Sequence, residues 1–307
     1  MKTLVMGAGA VGAYFGVRLH QAGEEVVFGA RGSNLRALKE HGLDLKSPRG
    51  DFHGPVHATD DPREFAPYDL ILFCVKMYDT DAAARSLSAC LAHGGVILTL
   101  QNGVESEARL VEYFGQESII AGCARVGAEL VAPGKIVHMT TGVIEFGELD
   151  GGETPRARKI AAAFRRAGIY GELVDDILTF RWSKLLWNSA FNTVATLTRR
   201  KVGEIIEDAD GIRLIRTLMN ETLAVARASG AKLGADRIEA LLEHSEKNLR
   251  ALKTSTQQDF ERGKRLEYDA LSGAVVRAAR RHSIAVPAME TIHATLGLLD
   301  QAISSRP

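Results

Sequence analysis

A short apolar run that leads directly into three glycines constrains this chain more than any other feature of its sequence. The run Met1–Met6 has the composition of a strand, and Gly7, Gly9 and Gly12 follow it with the spacing G-x-G-x-x-G. The next residues have helical periodicity. This spacing permits a tight strand-to-helix turn, and the helix N-terminus offers N–H groups and a dipole that favour a bound pyrophosphate. A strand before the turn and a helix after it favour nucleotide binding over an ordinary turn.

Composition limits the classes of protein to which this chain can belong. Its 307 residues suffice for two domains, and 38 basic against 38 acidic residues leave no net charge to attract nucleic acid or an anionic membrane. Cys74, Cys90 and Cys123 form no C-x-x-C pair, and the nine histidines lack the spacing of metal ligands. No signal peptide or membrane-spanning stretch is expected. We therefore expect a cytoplasmic protein without a metal, a nucleic-acid partner or a membrane partner.

The N-terminal half alternates between apolar segments, typical of buried parallel strands, and segments with helical periodicity. The predicted strands are Leu4–Met6, Glu24–Ala30, Asp69–Val75, Gly95–Leu100 and Ser118–Ala121, and the predicted helices are Val11–Gln21, Ser33–Glu40 with Ser33 as N-cap, Asp79–Leu91 and Ser106–Phe114. Two further strands, Gly134–Met139 and Val143–Gly147, are expected to pair in a hairpin or at a sheet edge. The alternation predicts a doubly wound parallel sheet of the Rossmann type.

The pattern changes after Pro155, where helical periodicity takes over. A helix over Arg156–Ala167 and a strand over Ile169–Val174 precede six predicted helices, which are Ile177–Leu197, Asp210–Ser229, Ala235–Lys247, Thr256–Arg262, Glu267–Arg281 and Pro287–Ser304. We therefore predict an α/β protein with a Rossmann-type domain at 1–175 and an all-α substrate-binding domain at 176–307. An apolar helical second domain also allows a homodimer.

The end of the second predicted strand indicates which dinucleotide binds. Proteins that use NAD usually carry Asp or Glu at this point, where it accepts a hydrogen bond from the ribose 2′-hydroxyl. This chain instead reads Phe28-Gly29-Ala30-Arg31-Gly32-Ser33, and a guanidinium suits a phosphate monoester. Arg31, with Ser33 as a second donor, therefore favours NADPH over NADH, although an ordinary solvated arginine would give the same pattern.

Polar residues also follow two other predicted strands. Lys76 comes directly after Val75, and Asn102 lies in Gln101-Asn102-Gly103. Ligands of open α/β sheets lie outside the carboxyl ends of the strands. We expect Lys76 to neutralise a phosphate or reach the ribose, and Asn102 to bind the nicotinamide ribose or the substrate, although Asn-Gly is also a common turn.

A polar stripe on an apolar helix is the clearest feature of the second half. Lys184, Asn188 and Asn192 are spaced i, i+4, i+8, so they share one face of a helix whose other residues are largely apolar. Burial of these side chains would be costly unless they had partners. A solvated stripe is the ordinary interpretation for a generic helix. Apart from Arg181, the rest of this helix lacks charge. This favours a cleft, in which Lys184 can act as a general acid.

A second polar set, which comprises Ser255, Asp259 and Glu267, lies near the C-terminus. Ser255 and Asp259 are one turn apart, and Ser255 would serve equally well as an N-cap. Ser255 and Glu267 would lie ~18 Å apart on one straight helix, so they can share a small ligand only if the chain breaks between them. Gly263 is a natural C-cap for such a break.

Taken in this order, these features resemble the ketopantoate reductase (2-dehydropantoate 2-reductase) family, and the resemblance runs from Met1 to about Pro287. Members of that family reduce 2-dehydropantoate to pantoate with NADPH, on the path to pantothenate. The resemblance implies Lys184 as proton donor, with Glu267 as the second catalytic residue. It further implies substrate contacts from Asn188, Asn192 and Ser255, cofactor contacts from Gly7, Ala8, Gly9, Ala10, Val11, Gly12, Lys76, Asn102 and Ala128, and a position for Glu267 near the nicotinamide and the substrate, where it would also contact the cofactor. From the strand ends we add Arg31 as a cofactor contact and Asn102 as a substrate contact.

The chain departs from the family pattern on the substrate side. Well-known members read Ser-Met-Leu-Gln-Asp where this chain has Ser255-Thr256-Gln257-Gln258-Asp259, and often Thr-Glu-Ile-Asp where it has Leu266-Glu267-Tyr268-Asp269. Some have a further substrate asparagine near Val202. We expect hydride transfer from NADPH to the ketone of 2-dehydropantoate. The alternative is a related 2-keto or 3-hydroxy acid dehydrogenase with a different substrate. A sensor that binds NADP(H) without turnover would need no general acid, so the polar stripe argues against it.

Overall fold

The structure, a computed structural model, describes residues 1–140 and 142–304. The strands are β1 (Lys2–Met6), β2 (Glu25–Gly29), β3 (Leu43–Lys46), β4 (Phe52–Gly54), β5 (His57–Thr59), β6 (Tyr68–Phe73), β7 (Leu91–Thr99), β8 (Ile119–Arg125), β9 (Ala128–Ala132), β10 (Lys135–His138), β11 (Val143–Gly147) and β12 (Tyr170–Leu173). The α-helices are α1 (Ala10–Gln21), α2 (Gly32–His41), α3 (Thr80–Ser86), α4 (Ser106–Phe114), α5 (Pro155–Arg166), α6 (Ile177–Thr198), α7 (Val202–Glu207), α8 (Ala209–Ala228), α9 (Arg237–Asn248), α10 (Ser255–Glu261), α11 (Ala274–Arg281) and α12 (Pro287–Ser304).

The chain divides into two compact units. The first comprises Met1–Gln101 and Ser106–Ile177, and the second comprises Asn102–Glu105 together with the chain from Leu178 onward. The four-residue segment Asn102–Glu105 therefore packs with the helices, although the residues on both sides of it belong to the first unit. Among residues 1–140 and 142–304, no helix combines the length and the apolar character that a bilayer crossing needs.

The first unit is built around an eight-stranded sheet with the order β12-β11-β8-β7-β6-β1-β2-β5. Its central strands are parallel, with Leu4 opposite both Val27 and Ile71, and these three side chains are buried. Strand β11 pairs antiparallel with β8 and parallel with β12, so β11 and β12 run opposite to the central strands. The predicted fold class, a Rossmann-type sheet followed by an all-helical region, is confirmed.

Strand β1 lies where the direction of winding reverses. From β1 the chain proceeds to β2 and β5 on one side, and to β6, β7 and β8 on the other. Ligands of doubly wound sheets bind outside the carboxyl ends of the strands at such a reversal. The carboxyl end of β1 carries the glycine turn, so the topology places that turn at the expected ligand-binding position.

A second sheet with the order β4-β3-β10-β9 contradicts one sequence expectation. The predicted strands Gly134–Met139 and Val143–Gly147 do not pair in a hairpin. Strand β10 pairs with β9 and β3, and β11 pairs with β8 and β12. The physical reason is the turn at Gly134, whose φ of +72° brings β10 back onto β9 before β11 begins.

Two local predictions in the first unit are also wrong. The helix predicted over Asp79–Leu91 is shorter, because Ala89 adopts φ 60° and the chain then enters β7. Ser33 is not the N-cap of α2. The helix begins one residue earlier, at Gly32, and its N-cap is the extended residue Arg31 without a side-chain cap bond.

The second unit is all-helical, as predicted, and α6 runs through its core. The buried side chains of α6 include Trp182, Leu186 and Phe191, which pack with residues of α8 and α11. Sequence periodicity missed the six-residue helix α7 and the π-helical turn Asp269–Gly273 that precedes α11. Both elements are too short for a periodic pattern to reveal.

His138 is a buried histidine of the first unit, with 2% of its surface exposed. Its ring stacks on Tyr14 at 4.0 Å between centroids. Ser47 Oγ accepts hydrogen bonds from Arg18 and from the N–H of Arg49, and it lies 2.8 Å from His138 Nδ1. The serine proton is therefore left to donate to Nδ1, which requires a neutral ring with its proton on Nε2. Burial, with the charges of Arg18 and Arg49, lowers the pKa of His138 to about 4.

The lowered pKa of His138 makes the first unit less stable in acid. The ordinary pKa of histidine is near 6.5, whereas the pKa of His138 in the folded chain is about 4. Between these two pH values His138 is protonated in the unfolded chain but neutral in the folded chain, so the free energy of unfolding falls as the pH falls. We expect a loss of about 3 kcal/mol across that window, measured by urea unfolding at several pH values. His138→Gln should reduce this pH dependence, whereas His53→Gln, at an exposed histidine, should retain it. An equal slope in His138→Gln and the wild type would contradict the assignment.

Candidate functional site

Gly7 and Gly12 let the chain turn from β1 into α1 with backbone atoms in direct contact. Gly7 has φ +102°, and a Cβ there would lie 2.8 Å from the backbone nitrogen of Val75. A Cβ at Gly12 would lie 2.3 Å from the carbonyl oxygen of Gly7. The N–H groups of Gly7 and Ala8 both donate to the carbonyl oxygen of Gly29, at 3.1 and 2.9 Å, which ties the turn to the end of β2. Neither glycine can take a side chain unless the backbone moves.

Gly9, the N-cap of α1, differs from the other two glycines. A Cβ at Gly9 would meet no atom within 4 Å, so the space beside it is open. In the described ranges 1–140 and 142–304, no side chain caps α1, and the first turn of α1 contains no acidic residue. The first N–H groups of a helix have no acceptor within the helix. The turn therefore offers an open, uncapped helix N-terminus, which fits the pyrophosphate of a dinucleotide.

The other predicted cofactor residues of the first unit lie at three places. Arg31 follows β2 with 60% of its side chain exposed, and its Nη2 lies 4.0 Å from Asp79 Oδ1. Lys76 is half-buried at the start of the turn that follows β6. Ala128 begins β9 and pairs with His138. The chain between Gly29 and Arg31 contains no acidic residue. An exposed guanidinium at this position suits the 2′-phosphate of a bound dinucleotide.

Gln101 lies just after β7, at the carboxyl edge of the first unit's eight-stranded sheet. Its buried Nε2 donates to the carbonyl oxygen of Val75 at 3.0 Å and to Thr80 Oγ1 at 2.8 Å. These bonds join the carboxyl ends of β6 and β7. Gln101 therefore fixes the point from which the chain continues into Asn102.

Within the second unit, three of the predicted site residues form a connected polar group. Lys184 Nζ donates to Asn102 Oδ1 at 2.9 Å, and Asn102 Nδ2 lies 3.5 Å from Glu267 Oε2. Lys184 is half-buried, and only 6% of Glu267 is exposed. The fold thus brings together an ammonium, an amide and a carboxylate that lie 82 and 165 residues apart in sequence.

The two asparagines of the polar stripe are buried in the second unit. Asn188 is 8% exposed and Asn192 is 3% exposed. Asn192 Nδ2 lies 3.5 Å from Thr256 Oγ1, and its Oδ1 has no hydrogen-bond partner among the described residues. Gln257, which follows Thr256, is fully buried, and neither polar atom of its side chain has a hydrogen-bond partner in the part of the chain that the structure describes. Unpaired buried amides are costly, so this region has polar groups that a ligand could satisfy.

Ser255 is exposed at the first position of α10 and does not cap it. The cap is Thr254, whose side chain accepts a bond from the N–H of Gln257, so the alternative role of Ser255 as an N-cap is wrong. The expected chain break is present at Gly263, where φ is +65°. There the N–H of Lys264 donates to the carbonyl oxygen of Asp259 at 2.9 Å, as in a Schellman motif.

Two arginines that the sequence analysis did not single out hold the segment Asn102–Glu105 in the second unit. Arg181 Nη2 donates to the carbonyl oxygen of Gly103 at 2.8 Å. Arg277 donates to Glu105 Oε2 at 2.7 Å through Nη2 and to Asp269 through Nη1. Arg181 lies three residues before Lys184, so helical periodicity could have placed it near the polar stripe. Nothing local in the sequence links Arg277 to Glu105.

A dinucleotide turn on a Rossmann-type sheet, joined to a helical unit with a lysine that bonds to an amide, defines an oxidoreductase that uses a nicotinamide cofactor. The family models for ketopantoate reductase PanE/ApbA and for its C terminal match residues 3–151 and 176–300. The chain belongs to the ketopantoate reductase family.

Individual relatives agree with this assignment. A 2-dehydropantoate 2-reductase of Halobacterium salinarum is 32% identical over 296 residues, which are 95% of this chain and 96% of that protein. The crystal structure of a PanE/ApbA family ketopantoate reductase from Ralstonia eutropha is 35% identical, covers 99% of this chain and 100% of that chain, and has a TM-score of 0.92. D-mandelate dehydrogenase, solved with NADH and anilino(oxo)acetate, is 22% identical with a TM-score of 0.94 over 100% of both chains, which shows the same fold.

Proposed function

We propose that this chain catalyses the NADPH-dependent reduction of 2-dehydropantoate to (R)-pantoate, with Lys184 as the proton donor. The observation that carries the proposal is the polar group of the second unit, in which Lys184 Nζ bonds to Asn102 Oδ1 at 2.9 Å. Such a group can hold an ammonium in one place while a substrate oxygen gains charge. The relatives named 2-dehydropantoate 2-reductase supply the substrate class.

The chemistry of the proposal divides between the cofactor and the side chains. The nicotinamide, when bound, supplies the hydride that reduces the C2 ketone. Lys184 stabilises the developing negative charge on the ketone oxygen and delivers a proton to it. Asn102 limits the orientations open to the ammonium, and Glu267 orients the substrate. Asn188, Asn192 and Ser255 hold the carboxylate or the distal hydroxyl.

Arg31 is the residue that we expect to select NADPH over NADH. Arg31→Ala should weaken NADPH binding by about tenfold to a hundredfold, because a charge-assisted bond to the 2′-phosphate is lost. NADH, which lacks that phosphate, should bind as it does to the wild type. Fluorescence titration with both cofactors measures the difference. Arg36→Ala, at an exposed arginine further along α2, serves as the control. Equal losses for both cofactors in Arg31→Ala would contradict the assignment.

A different 2-keto acid is the second candidate substrate, and Thr256 with Gln257 favours it. Both side chains are buried, and Thr256 Oγ1 lies 3.5 Å from Asn192 Nδ2. Well-known family members have Met and Leu at these two positions. A substrate with other polar groups than 2-dehydropantoate would use these side chains.

A steady-state assay of NADPH oxidation separates the candidates. We expect 2-dehydropantoate to give the highest kcat/KM in a panel of 2-keto acids that differ in chain length and polarity. A higher kcat/KM for another 2-keto acid would show that this acid is the better substrate, but the proposed hydride and proton transfers would stay the same. Tight NADPH binding without oxidation by any acid of the panel would instead support a sensor without turnover, and would reject the proposed reaction.

A further inference from the structure

Asn34, in the first turn of α2, makes two hydrogen bonds that connect separate parts of the first unit. Its Nδ2 donates to the carbonyl oxygen of Ala8 at 2.9 Å, and its Oδ1 accepts from the N–H of Gly134 at 2.8 Å. A carbonyl can only accept and an N–H can only donate, so the two partners fix the orientation of the Asn34 amide. Asn34 therefore joins the glycine turn to the turn between β9 and β10.

The bond from Asn34 to Ala8 determines where the next N–H points. The peptide between Ala8 and Gly9 is planar and trans, so its carbonyl and its N–H point in opposite directions. With the Ala8 carbonyl held by Asn34, the Gly9 N–H points away from α2. The N–H of Ala8 is already bonded to the carbonyl oxygen of Gly29 at 2.9 Å. The position of the whole Ala8 residue is thus fixed from both sides.

We propose that Asn34 is a positioning residue, which orients the Gly9 N–H as a donor to the pyrophosphate of the dinucleotide. The proposal rests on the proposed function, since it assumes a dinucleotide at the glycine turn. A Cβ at Gly9 would meet no atom within 4 Å, so the space beside Gly9 is open. The N-cap Gly9 makes no side-chain bond to α1. An N–H that is already aligned binds a phosphate without the entropic cost of ordering the turn.

This role gives a pattern of affinities that a general loss of structure would not give. Asn34→Ala should weaken the binding of NADP⁺ and of NAD⁺ by the same factor, about five- to tenfold, because both dinucleotides contain the pyrophosphate. Adenosine 2′-monophosphate contains no pyrophosphate and should bind equally well to the variant and the wild type. Dissociation constants come from calorimetric titration of the purified full chain, with the mononucleotide measured by competition against NADPH.

Two further variants keep the test decisive. Lys39→Ala, at an exposed position of the same helix, should retain all three affinities and the melting temperature. Asn34→Asp can still accept from the N–H of Gly134 but cannot donate to Ala8, so it should fold and yet bind both dinucleotides weakly. That weakness should persist in high salt, where repulsion between the carboxylate and phosphate is screened.

Two results would overturn the inference. One is unchanged dinucleotide affinity in Asn34→Ala or, if that variant does not fold, in Asn34→Asp. The other is an equal loss for the mononucleotide and the dinucleotides. If the wild type binds NADP⁺, either result rejects the proposed role of Asn34 but leaves the proposed function standing. A wild-type chain that binds no nicotinamide dinucleotide would reject the proposed function itself.

Discussion

We expect Lys184→Ala to lower kcat by about a hundredfold or more, because the variant would lose the proposed general acid and the charge that stabilises the alkoxide. The dissociation constant for NADPH should stay close to the wild-type value, because the cofactor residues that we assign to the first unit are untouched. Stopped-flow or steady-state oxidation of NADPH with 2-dehydropantoate measures the first quantity, and fluorescence titration measures the second.

Lys247→Ala is the matched control for this variant. Lys247 belongs to the same helical unit, but its ammonium is exposed and pairs with Glu243 on the surface of α9. Exposed pairs of this kind contribute little to stability, so this variant should match the wild type. Turnover that is unchanged in Lys184→Ala would remove Lys184 from the mechanism. A parallel fall of kcat and melting temperature would show that Lys184 has a structural role instead.

The pair Gly12→Ala and Gly9→Ala should separate folding from cofactor binding. A methyl group at position 12 would lie 2.3 Å from the carbonyl oxygen of Gly7 and 2.8 Å from Val5 Cγ1. Relief requires movement of the turn or of a core strand, at a cost of about 1–3 kcal/mol or more. We expect Gly12→Ala to lower the melting temperature and to abolish NADPH binding, both measured on the purified protein.

Gly9→Ala should have the opposite profile. Gly9 has an ordinary φ of −79° and an open space beside it, so the melting temperature should stay near that of the wild type. The methyl group would occupy the space that a pyrophosphate needs, and the affinity for NADPH should fall by about tenfold. Wild-type affinity in Gly9→Ala, or wild-type stability in Gly12→Ala, would contradict the way in which we interpret this turn.

Elements with a strong local signal could be predicted from the sequence. The helices Ser106–Phe114 and Pro287–Ser304 have the bounds that periodicity predicts, and the latter begins with proline, which suits the first helical position. The central strands were equally clear, because strands buried on both faces are continuously apolar. In each of these cases, the pattern that specifies the element lies within the element.

Features that depend on distant partners could not be predicted. Strand β9 was not predicted, because it is only partly buried and lacks a continuous apolar run. Strand β10 pairs with the distant strand β3, with Lys135 opposite Asp44. Neither strand shows in its own sequence which neighbour it will choose. A strand such as Val143–Gly147 was therefore given the wrong partner, although its bounds were right.

The candidate site follows the same rule. Helical spacing placed Lys184, Asn188 and Asn192 on one face of α6, and both asparagines are buried in the structure. Spacing could not show that Asn102 would meet Lys184, or that Thr256 and not Ser255 would approach Asn192. The position of Asn102 after a predicted strand and the family resemblance both indicated it as a site residue, but its contact with Lys184 is known only from the structure.

The segment Asn102–Glu105 has a consequence for anyone who divides this protein. A fragment that starts at Leu178 would lack the amide that Lys184 bonds, the carbonyl that Arg181 bonds and the carboxylate that Arg277 bonds. A chimaera of two relatives joined near Ile177 would likewise take Lys184 from one parent and its amide partner from the other. Exchange of the helical part between relatives must therefore include these four residues, which have to be replaced between positions 101 and 106 of the chain that supplies the first unit.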